Sequence, residues 1–413
     1  MANIALLNFG SAGDVHPMLA LGAGLRASGH RVCVLTNPIF ANQVVREGLE
    51  FVPVGEADHY CATINHPKLW HPIDGMGVMW RYLLRPALVP SYEALARLHG
   101  GEKWLVIASP LAMGARLAQE KLGMAVVTAY TSAAMLRTVE DSMTLARWRV
   151  PAVVPKAWRE FAWRGLDRFK LEPLVRPALD AMRDKLGLPR LAQSVFGKWM
   201  HSPLAGVTLF APWFAPRAAD WPAQVVEAGF PLYDGDAAEP ASPGLEAFLA
   251  RGAAPVVFMH GTASVDGAAF FQAAAAACKA VGCRAVFLGS SGMSAWPDGI
   301  HAEPYTSFGR LLPRARALVH HGGIGSCAQA LRAGVPQVIV PRAYDQFDNA
   351  MRIEQLDVGR SLGYGPAALG RMAQRLREVL DSAAIREACA MHAGPSSRDA
   401  CHEVVAALVK RFE

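Results

Sequence analysis

ALVHHGGIGSCAQALRAGVPQVIVPRAYDQFDN, residues 317–349, is the stretch from which the fold of this chain can be worked out. Its first apolar run, residues 317–321, predicts a strand, and the glycine-rich residues 322–326 end it because glycine adopts backbone conformations that other residues avoid. Residues 327–332 favour a helix that stops at Gly334, and residues 337–340 predict a second buried strand. A strand, turn, helix and strand in this order form the repeating unit of a parallel α/β sheet.

The glycine turn of this stretch is suited to phosphate. A turn that leads into a helix presents free N–H groups and the positive end of the helix dipole, and His320 can add a ring donor. The turn matches neither the Walker motif nor a dinucleotide fingerprint, so a tight turn without a ligand stays an alternative. Asp345 and Gln346, after the next strand, carry acceptors and donors that suit sugar hydroxyls. Phosphate beside sugar predicts a nucleotide-sugar site.

Composition limits the class of protein. A chain of 413 residues exceeds what one core usually holds, which favours two domains. The net charge of +6 comes without basic blocks, so it fits an anionic substrate or a membrane surface and argues against nucleic acid. The seven cysteines are scattered, which favours a reducing compartment and no zinc site. With no signal peptide or long apolar run visible, we expect a cytoplasmic protein, with peripheral contact at the inner face of the membrane left open.

The strand and helix pattern divides the chain into two α/β halves. Further strands are predicted at residues 3–9, 31–36, 51–53, 104–108, 125–129, 255–259 and 285–288. We expect an N-terminal domain at residues 1–232, a linker at 233–243, a second domain at 244–385 and C-terminal helices at 386–413 that cross back to the first domain. The linker contains Asp234-Gly235-Asp236, which we interpret as solvated turn sequence rather than a metal-binding acidic pair.

Residues 137–187 interrupt this alternation. Trp158, Phe161 and Phe169 fall near helical spacing, with arginines and lysines between them. Such a pattern is typical of an amphipathic helix packed on its domain. A cover over an acceptor or a surface that faces a membrane are the alternatives.

Several motifs resemble those of known enzymes. HHGGIGS, followed by AGVPQVIVP and DQFDNA, resembles the donor-site motif of family 1 glycosyltransferases with the GT-B fold, and GSAGDVHP at residues 10–17 resembles their acceptor-side loop. The segments KLWHP at 68–72, FKL at 169–171, WMHSP at 199–203 and GFPL at 229–232 are similar to the rhamnosyltransferase subgroup of rhamnolipid biosynthesis.

This resemblance implies a fold and a reaction. The fold would be GT-B, with two Rossmann-like α/β domains that face each other across a cleft. The reaction would be an inverting transfer of L-rhamnose from dTDP-L-rhamnose to the hydroxyl of 3-(3-hydroxyalkanoyloxy)alkanoate, an amphipathic lipid acceptor, without a metal. No other cofactor is implied beyond the nucleotide sugar itself.

Inverting transfer needs one base for the acceptor hydroxyl and stabilisation of the departing diphosphate. Asp14 follows the first strand, and we expect it in a loop before a helix that begins near Pro17. It is the candidate base, with helix capping as its alternative role. His16 is the second candidate, because the ordinary pKa of histidine suits a base.

The resemblance also implies the binding residues. The donor-binding candidates are Gly261, Thr262, Ser264, Tyr305, Thr306, His320, Gly322, Gly323, Gly325, Ser326, Asp345 and Gln346. Asn349 is set apart, because it suits the cap of a helix that begins near Ala350. Acceptor-binding candidates are Trp70, Trp80 and Arg81, in a segment whose aromatic and methionine side chains suit an alkyl chain and whose arginines suit a carboxylate.

Three other functions are alternatives. A glucolipid synthase that uses UDP-glucose, or another natural-product glycosyltransferase, differs in few sequence features. An inactive glycosyltransferase-like helper of a partner enzyme is disfavoured by the presence of Asp14, His320 and Asp345 together. A nucleotide-sugar oxidoreductase or epimerase would carry a dinucleotide fingerprint after the first strand, and GSAGD is not one.

Overall fold

The computed structural model describes residues 1–145, 147–235, 240–261, 267–290, 296–363, 365–394 and 396–412. The chain forms two compact units, one of Met1–Pro231 with Ser397–Glu413 and one of Leu232–Ser396. Thr262, Ser264 and Asp236, which the sequence analysis singled out, lie outside the described residues.

The first unit contains a parallel sheet in the order β3-β2-β1-β4-β5-β8-β9. The strands of this unit are β1 (Asn3–Leu7), β2 (Arg31–Thr36), β3 (Glu50–Pro53), β4 (Trp104–Ala108), β5 (Ala125–Tyr130), β6 (Met143–Leu145), β7 (Trp148–Val150), β8 (Ala205–Thr208) and β9 (Val225–Glu227). All five residues of β4 are buried, as expected of a central strand that helices cover on both faces. The short strands β6 and β7 form a separate antiparallel hairpin.

The helices of the first unit follow its strands in the βαβ order that the sequence predicts. They are α1 (Ala12–Ala27), α2 (Ala41–Arg46), α3 (Ala57–Ile64), α4 (Gly75–Met79), α5 (Arg85–His99), α6 (Met113–Leu122), α7 (Lys156–Leu166) and α8 (Glu172–Leu186). Short π-helical segments occur at Trp80–Leu84, Asp167–Leu171 and Val195–Trp199, and 3-10 turns at Pro38–Phe40 and Ala133–Met135.

The second unit has its own parallel sheet, in the order β12-β11-β10-β13-β14-β15. Its strands are β10 (Val256–Met259), β11 (Ala285–Leu288), β12 (Ile300–Glu303), β13 (Ala317–His320), β14 (Gln337–Ile339) and β15 (Gly359–Ser361). Its helices are α9 (Pro243–Leu249), α10 (Ala268–Val281), α11 (Phe308–Leu311), α12 (Ile324–Arg332), α13 (Gln346–Gln355), α14 (Pro366–Leu369), α15 (Met372–Asp381) and α16 (Ala383–His392), with a 3-10 turn at Leu312–Arg314. Because β10 and β14 flank β13, the residues that follow these three strands are neighbours at one edge of the sheet.

The last helix, α17 (Ser396–Lys410), lies within the first unit from Ser397 onward. It lies close to α1, where a Cβ added at Gly24 would be 2.0 Å from Nδ1 of His402. A glycine at this position therefore makes room for the histidine ring. Among the residues that the structure describes, no helix is long and apolar enough to cross a membrane.

Candidate functional site

The turn between β13 and α12 depends on two glycines. Gly322 has φ +88°, and a Cβ added there would lie 2.6 Å from Cγ2 of Ile339 and 3.3 Å from the carbonyl oxygen of Gln346. A side chain at Gly322 would therefore be strained and would meet β14. Gly323 is the N-cap of α12, whose first intrahelical bond runs from the N–H of Cys327 to the oxygen of Gly323 at 3.0 Å. The amides before Cys327 are left for a ligand, as at other helix N-termini.

His320 is a structural residue and is not available to a diphosphate. It is fully buried, its Nδ1 accepts the N–H of Gly322 at 3.2 Å, and its Nε2 therefore donates to Oε1 of Gln337 at 3.0 Å. Burial lowers its pKa to about 3, so the ring is neutral. Both ring nitrogens are used within the protein. This geometry contradicts the expected contact between His320 and the diphosphate, and the ring instead ties the turn to β14.

His321 is half-buried, in contrast to the fully buried His320. It makes no hydrogen bond with any described residue, and its Nδ1 is buried without a partner. The ring lies beside two glycine backbones: added Cβ atoms at Gly261 and Gly323 would be 3.2 Å from its Nδ1 and 2.5 Å from its Nε2. Burial, with the charge of Arg342, lowers its pKa to about 4. A neutral imidazole beside the first turn of α12 can donate one N–H to an anion.

A histidine and an arginine that the sequence analysis did not single out complete this edge of the sheet. Nη1 of Arg342, after β14, bonds to Nε2 of His260, after β10, at 2.9 Å. Since β13 lies between those strands, this bond brings the two side chains together across the end of β13. Burial and the charges of Arg342 and His321 lower the pKa of His260 to about 4. Both residues follow predicted strands, which is the only sequence signal that could have indicated them.

The acidic loop is tied to the glycine turn through Asn349. Its Nδ2 donates to the carbonyl oxygen of Gly322 and to Oδ2 of Asp345, both at 2.9 Å. Helix α13 begins at Gln346 rather than near Ala350, so the expected capping role of Asn349 is wrong. Asp345 is thereby oriented by the same residue that holds the glycine turn.

Gln346 shapes the backbone on the other side of Asp345. Its Oε1 accepts the N–H groups of Arg342 and Ala343 at 2.8 and 3.2 Å. Tyr344, inside that loop, has φ +56°, a conformation that non-glycine residues seldom adopt. The cost of such a conformation is typical of loops that position functional groups.

The remaining donor candidates differ in exposure. Ser326 is buried in the first turn of α12, and Gly325 beside it is half-buried. Tyr305 and Thr306 lie between β12 and α11, where Tyr305 is exposed and Thr306 is half-buried. The tyrosine is therefore on the surface of its unit and outside the core.

Asp234 was expected to be solvated linker sequence, and that expectation is wrong. Its carboxylate pairs with Nη1 of Arg332 at 2.7 Å and accepts Nε2 of Gln329 at 2.9 Å. These contacts join the start of the second unit to the C-terminal end of α12. A cavity of about 450 Å³ lies there, lined by Asp234, Ser307, Gly309, Arg310, Pro313, Arg332, Ala333 and Gly394. It is at the opposite end of α12 from the glycine turn.

In the first unit, Asp14 is part of a helix and not of a loop. Helix α1 begins at Ala12, five residues before the expected start at Pro17. Oδ2 of Asp14 accepts the N–H of Ser11 at 2.9 Å and lies 3.3 Å from its hydroxyl, which forms a capping box. The S-x-x-D spacing of residues 11–14 is the sequence signal that could have placed this helix start. Asp14 is nevertheless half-buried, so its carboxylate is not enclosed in the core.

The other candidate residues of the first unit differ in how deeply they are buried. Nε2 of the half-buried His16 lies 3.2 Å from Oε1 of Gln43, and burial lowers the pKa of His16. Trp70 is half-buried and Arg81 is exposed. Trp80 packs in the apolar core of the first unit, so the expectation that its ring lines an acceptor surface is wrong.

Within the described ranges, no group of three or more His, Cys, Asp and Glu side chains could hold a metal ion.

Comparison with known proteins identifies the class of enzyme. Residues 4–140 match the family model of the glycosyltransferase family 28 N-terminal domain, and residues 288–410 match that of the erythromycin biosynthesis protein CIII-like C-terminal domain. The O-mycaminosyltylonolide 6-deoxyallosyltransferase of Streptomyces fradiae is 30% identical over 392 residues, which cover 89% of this chain and 86% of that enzyme.

Solved structures agree in fold. The glycosyltransferase of kitacinnamycin matches with a TM-score of 0.74 at 21% identity, over 99% of this chain and 98% of its own. The glycosyltransferase VinC, in complex with dTDP, matches with a TM-score of 0.67 at 19% identity, over 99% and 98%. The two parallel-sheet units are thus those of the GT-B fold, which confirms the predicted fold class.

The match to the deoxyallosyltransferase, together with the two family models, shows the family. Its members use nucleotide-sugar donors and act without a metal cofactor. This chain belongs to the family 1 glycosyltransferases of the GT-B fold.

Proposed function

We propose that this glycosyltransferase moves L-rhamnose from dTDP-L-rhamnose to the hydroxyl of 3-(3-hydroxyalkanoyloxy)alkanoate, giving a mono-rhamnolipid. The observation that carries the donor half is the half-buried His321 ring, which makes no hydrogen bond to a described residue and lies beside the first turn of α12, with Arg342 nearby. Three kinds of donor, namely backbone N–H, imidazole and guanidinium, suit the two phosphates of a nucleotide sugar.

Two comparisons support the choice of donor. VinC holds dTDP, which supports a thymidine nucleotide. The relative from Streptomyces fradiae is named for the transfer of a 6-deoxyhexose, and rhamnose is also a 6-deoxyhexose. The rhamnosyl and lipid assignments rest further on the KLWHP, FKL, WMHSP and GFPL segments.

In the proposed reaction, Asp14 accepts the proton of the acceptor hydroxyl as its oxygen bonds to C1 of rhamnose. The bond between C1 and the phosphate oxygen breaks on the opposite face, so the configuration at C1 inverts and dTDP leaves. The α12 amides, the N–H of His321 and the charge of Arg342 stabilise the negative charge that develops on the diphosphate. Asp345 and Gln346 orient the sugar through its hydroxyls.

The donor is tested with the purified chain, a hydroxyacyl acceptor, and either dTDP-L-rhamnose or UDP-glucose, with products read by mass spectrometry. A rhamnosylated product from the first donor is expected. A glucosylated product from UDP-glucose alone would replace the proposal with a glucolipid synthase. Absence of transfer and of donor hydrolysis with both donors would favour an inactive helper.

The acceptor is tested through Arg81. This exposed side chain forms no hydrogen bond with another described residue, so it is open to the lipid carboxylate. We expect kcat/KM for the free acid to exceed that for its methyl ester by about tenfold to a hundredfold, the range of a charged hydrogen bond. Arg81→Gln should lower kcat/KM for the free acid to the level of the methyl ester, and it should leave kcat/KM for the methyl ester unchanged.

Arg97→Gln is the matched control for that measurement, because Arg97 is also exposed but lies near the far end of α5. It should leave both substrates unaffected. Equal rates of the wild-type enzyme on acid, ester and a sterol would mean that only apolar character is recognised, and the lipid-acid acceptor would be wrong.

A second candidate function is glycosylation of a polyketide or another natural product. It is favoured by the 30% identity to an enzyme named for a tylonolide acceptor. Including a macrolide aglycone among the acceptors distinguishes the two: transfer to the aglycone alone would select this candidate.

A further inference from the structure

Helix α7 of the first unit presents apolar side chains to solvent and turns a charged one inward. Trp158, Phe161 and, in the π-helical segment that follows, Phe169 are 51%, 72% and 80% exposed. Arg159 is the buried residue of α7, and its guanidinium donates to the backbone oxygens of Asp141 and Ala152. This arrangement is the reverse of a helix that buries its apolar face against its own domain.

The inward side of α7 is held by specific contacts. Trp163 lies under the guanidinium of Arg137 at 4.5 Å, and Arg137 pairs with Asp167 at 2.6 Å. Leu166 packs against the core of the first unit. These contacts set the rotation of the helix, so the outward position of the aromatic rings is a feature of the fold.

The three aromatic rings share one side of the helix. Phe161 lies three residues after Trp158, a spacing of about one helical turn. Phe169 lies eleven residues after Trp158, a spacing of about three helical turns. Val153, in the preceding loop, is 88% exposed, and Trp148 of β7 is 51% exposed. We call Trp158, Phe161 and Phe169 together the aromatic face.

Positive charge surrounds the aromatic face. Residues 147–170 contain seven Arg and Lys, one of which is the buried Arg159, and two Asp and Glu. Arg149, Lys156, Arg164 and Arg168 are exposed, and of these Lys156 pairs with Glu140 and Arg164 with Glu160. Exposed rings interleaved with cations are the composition of helices that lie in the interface of an anionic membrane.

We propose that the aromatic face, centred on α7, docks this enzyme on a lipid bilayer that contains anionic headgroups. Trp158, Phe161 and Phe169 enter the boundary between headgroups and acyl chains, and Arg149 and Arg168 contact lipid phosphates. The proposal goes beyond the glycosyl transfer, because it assigns a surface that neither donor nor base requires. It would keep the enzyme where an amphipathic acceptor accumulates.

Two other occupants fit the observations less well. A pocket for a single acceptor would enclose its lining, whereas these rings stand half to four-fifths exposed. A symmetric contact with a second copy would bring two sets of exposed arginines, Arg149 and Arg168 in each copy, close together, which like-charge repulsion disfavours.

The test is flotation of the purified chain with vesicles of phosphatidylcholine plus phosphatidylglycerol, and with phosphatidylcholine vesicles alone. Wild type should float with the anionic vesicles, float poorly with the neutral ones, and be released by raised salt. Replacing Trp158, Phe161 and Phe169 together by Ser should abolish flotation. The matched control, Val45→Ser with Met391→Ser, removes exposed apolar side chains elsewhere and should float as wild type does.

The charges are tested separately. Arg149→Gln with Arg168→Gln should weaken binding to anionic vesicles about 30-fold, since each surface cation contributes about fivefold. Arg97→Gln with Arg251→Gln, two exposed arginines outside the segment, should have no such effect. Circular dichroism and the unfolding midpoint of each variant show that it is folded.

Three results would overturn the proposal. One is failure of the folded wild type to float with anionic vesicles. Another is undiminished flotation of the triple Ser variant. The third is binding of a monomeric fatty acid at this face without vesicle binding, which would make α7 a cover over an acceptor. None of these outcomes depends on which sugar is transferred.

Discussion

Two adjacent histidines have opposite environments because consecutive residues at the end of a strand point to opposite sides. His320 points into the second unit, where Gln337 and the N–H of Gly322 use both of its nitrogens. His321 comes next, beside Gly261 and Gly323, and has no hydrogen bond to a described residue. Two adjacent histidines in a sequence do not by themselves indicate which of the two rings points into the core. That choice depends on where the strand ends.

This difference predicts separate effects of two substitutions. His321→Ala should weaken dTDP binding by about tenfold to a hundredfold, the range for a lost hydrogen bond to a charged group, with little change in stability. His320→Ala should instead lower the free energy of unfolding by about 2–4 kcal/mol, because it leaves buried polar groups unpaired and opens a cavity. Isothermal titration with dTDP and urea unfolding of both variants are the measurements. The reverse pattern would restore His320 as the phosphate contact.

Asp14 combines a structural and a proposed chemical task, and one substitution separates them. In Asp14→Asn an amide oxygen can still accept the N–H of Ser11, so the cap is largely kept, but the base is lost. We expect turnover to fall by about two to four orders of magnitude, with dTDP affinity nearly unchanged.

Steady-state kinetics with titration of dTDP checks this prediction, and Ser11→Ala serves as the comparison. If Asp14 only caps α1, both variants should lose a little stability and keep near-normal turnover. That outcome would favour His16 as the general base.

The turn between β13 and α12 requires a glycine at position 322 both because φ is positive there and because a side chain would meet Ile339. A control substitution separates these two effects. Gly322→Ala meets both a positive φ and Ile339, whereas Gly282→Ala, with φ +72°, meets no atom within 4 Å. The control should cost about 1 kcal/mol of stability and leave dTDP affinity unchanged. The Gly322 variant should lose about 1–3 kcal/mol more and bind dTDP markedly less well. Equal losses in unfolding and titration experiments would mean that Ile339 simply moves aside.

The elements that could be predicted are those with strong apolar patterns. Residues 31–36, 104–108 and 285–288 were expected as strands and are β2, β4 and β11 with the same bounds. Strands β12 and β15, with sequences IHAE and GRS, were missed because short, partly polar strands carry no apolar pattern. The start of α1 was misplaced because Pro17 was given more weight than the capping box at residues 11–14.

The site was predictable only in part, for a related reason. The glycine turn and Asp345-Gln346 are local motifs, so the sequence indicated both. The bond between His260 and Arg342 joins residues 82 positions apart, and no local pattern predicts such a pair. Likewise, the outward rotation of α7 is set by long-range contacts of Arg159 and Arg137, whereas its spacing alone suggested ordinary packing.

Across the whole molecule, buried histidines in both units link stability to pH. Burial lowers the pKa of His201 in the first unit to about 4, and the pKa values of His260, His320 and His321 in the second unit to about 4, 3 and 4. The unfolded value is near 6.5, so the unfolded chain binds protons first as the pH falls. The stability that comes from neutral, buried rings is therefore fully present above pH 6.5 and is lost as the pH falls toward 4.

We predict that the free energy of unfolding decreases between pH 7 and pH 5, by up to about 2 kcal/mol for each such histidine at pH 5. Carboxylates contribute little in this window because their unfolded pKa values lie near 4. Urea unfolding at several pH values measures the slope. His201→Gln removes one of these groups, while its amide can still bond to the hydroxyl of Tyr130, which lies 2.8 Å from Nδ1 of His201. The variant should be less sensitive to acid in the first unit. A stability that stays constant or rises from pH 7 to pH 5 would mean that these rings take up protons without unfolding, and that water reaches them in the native state.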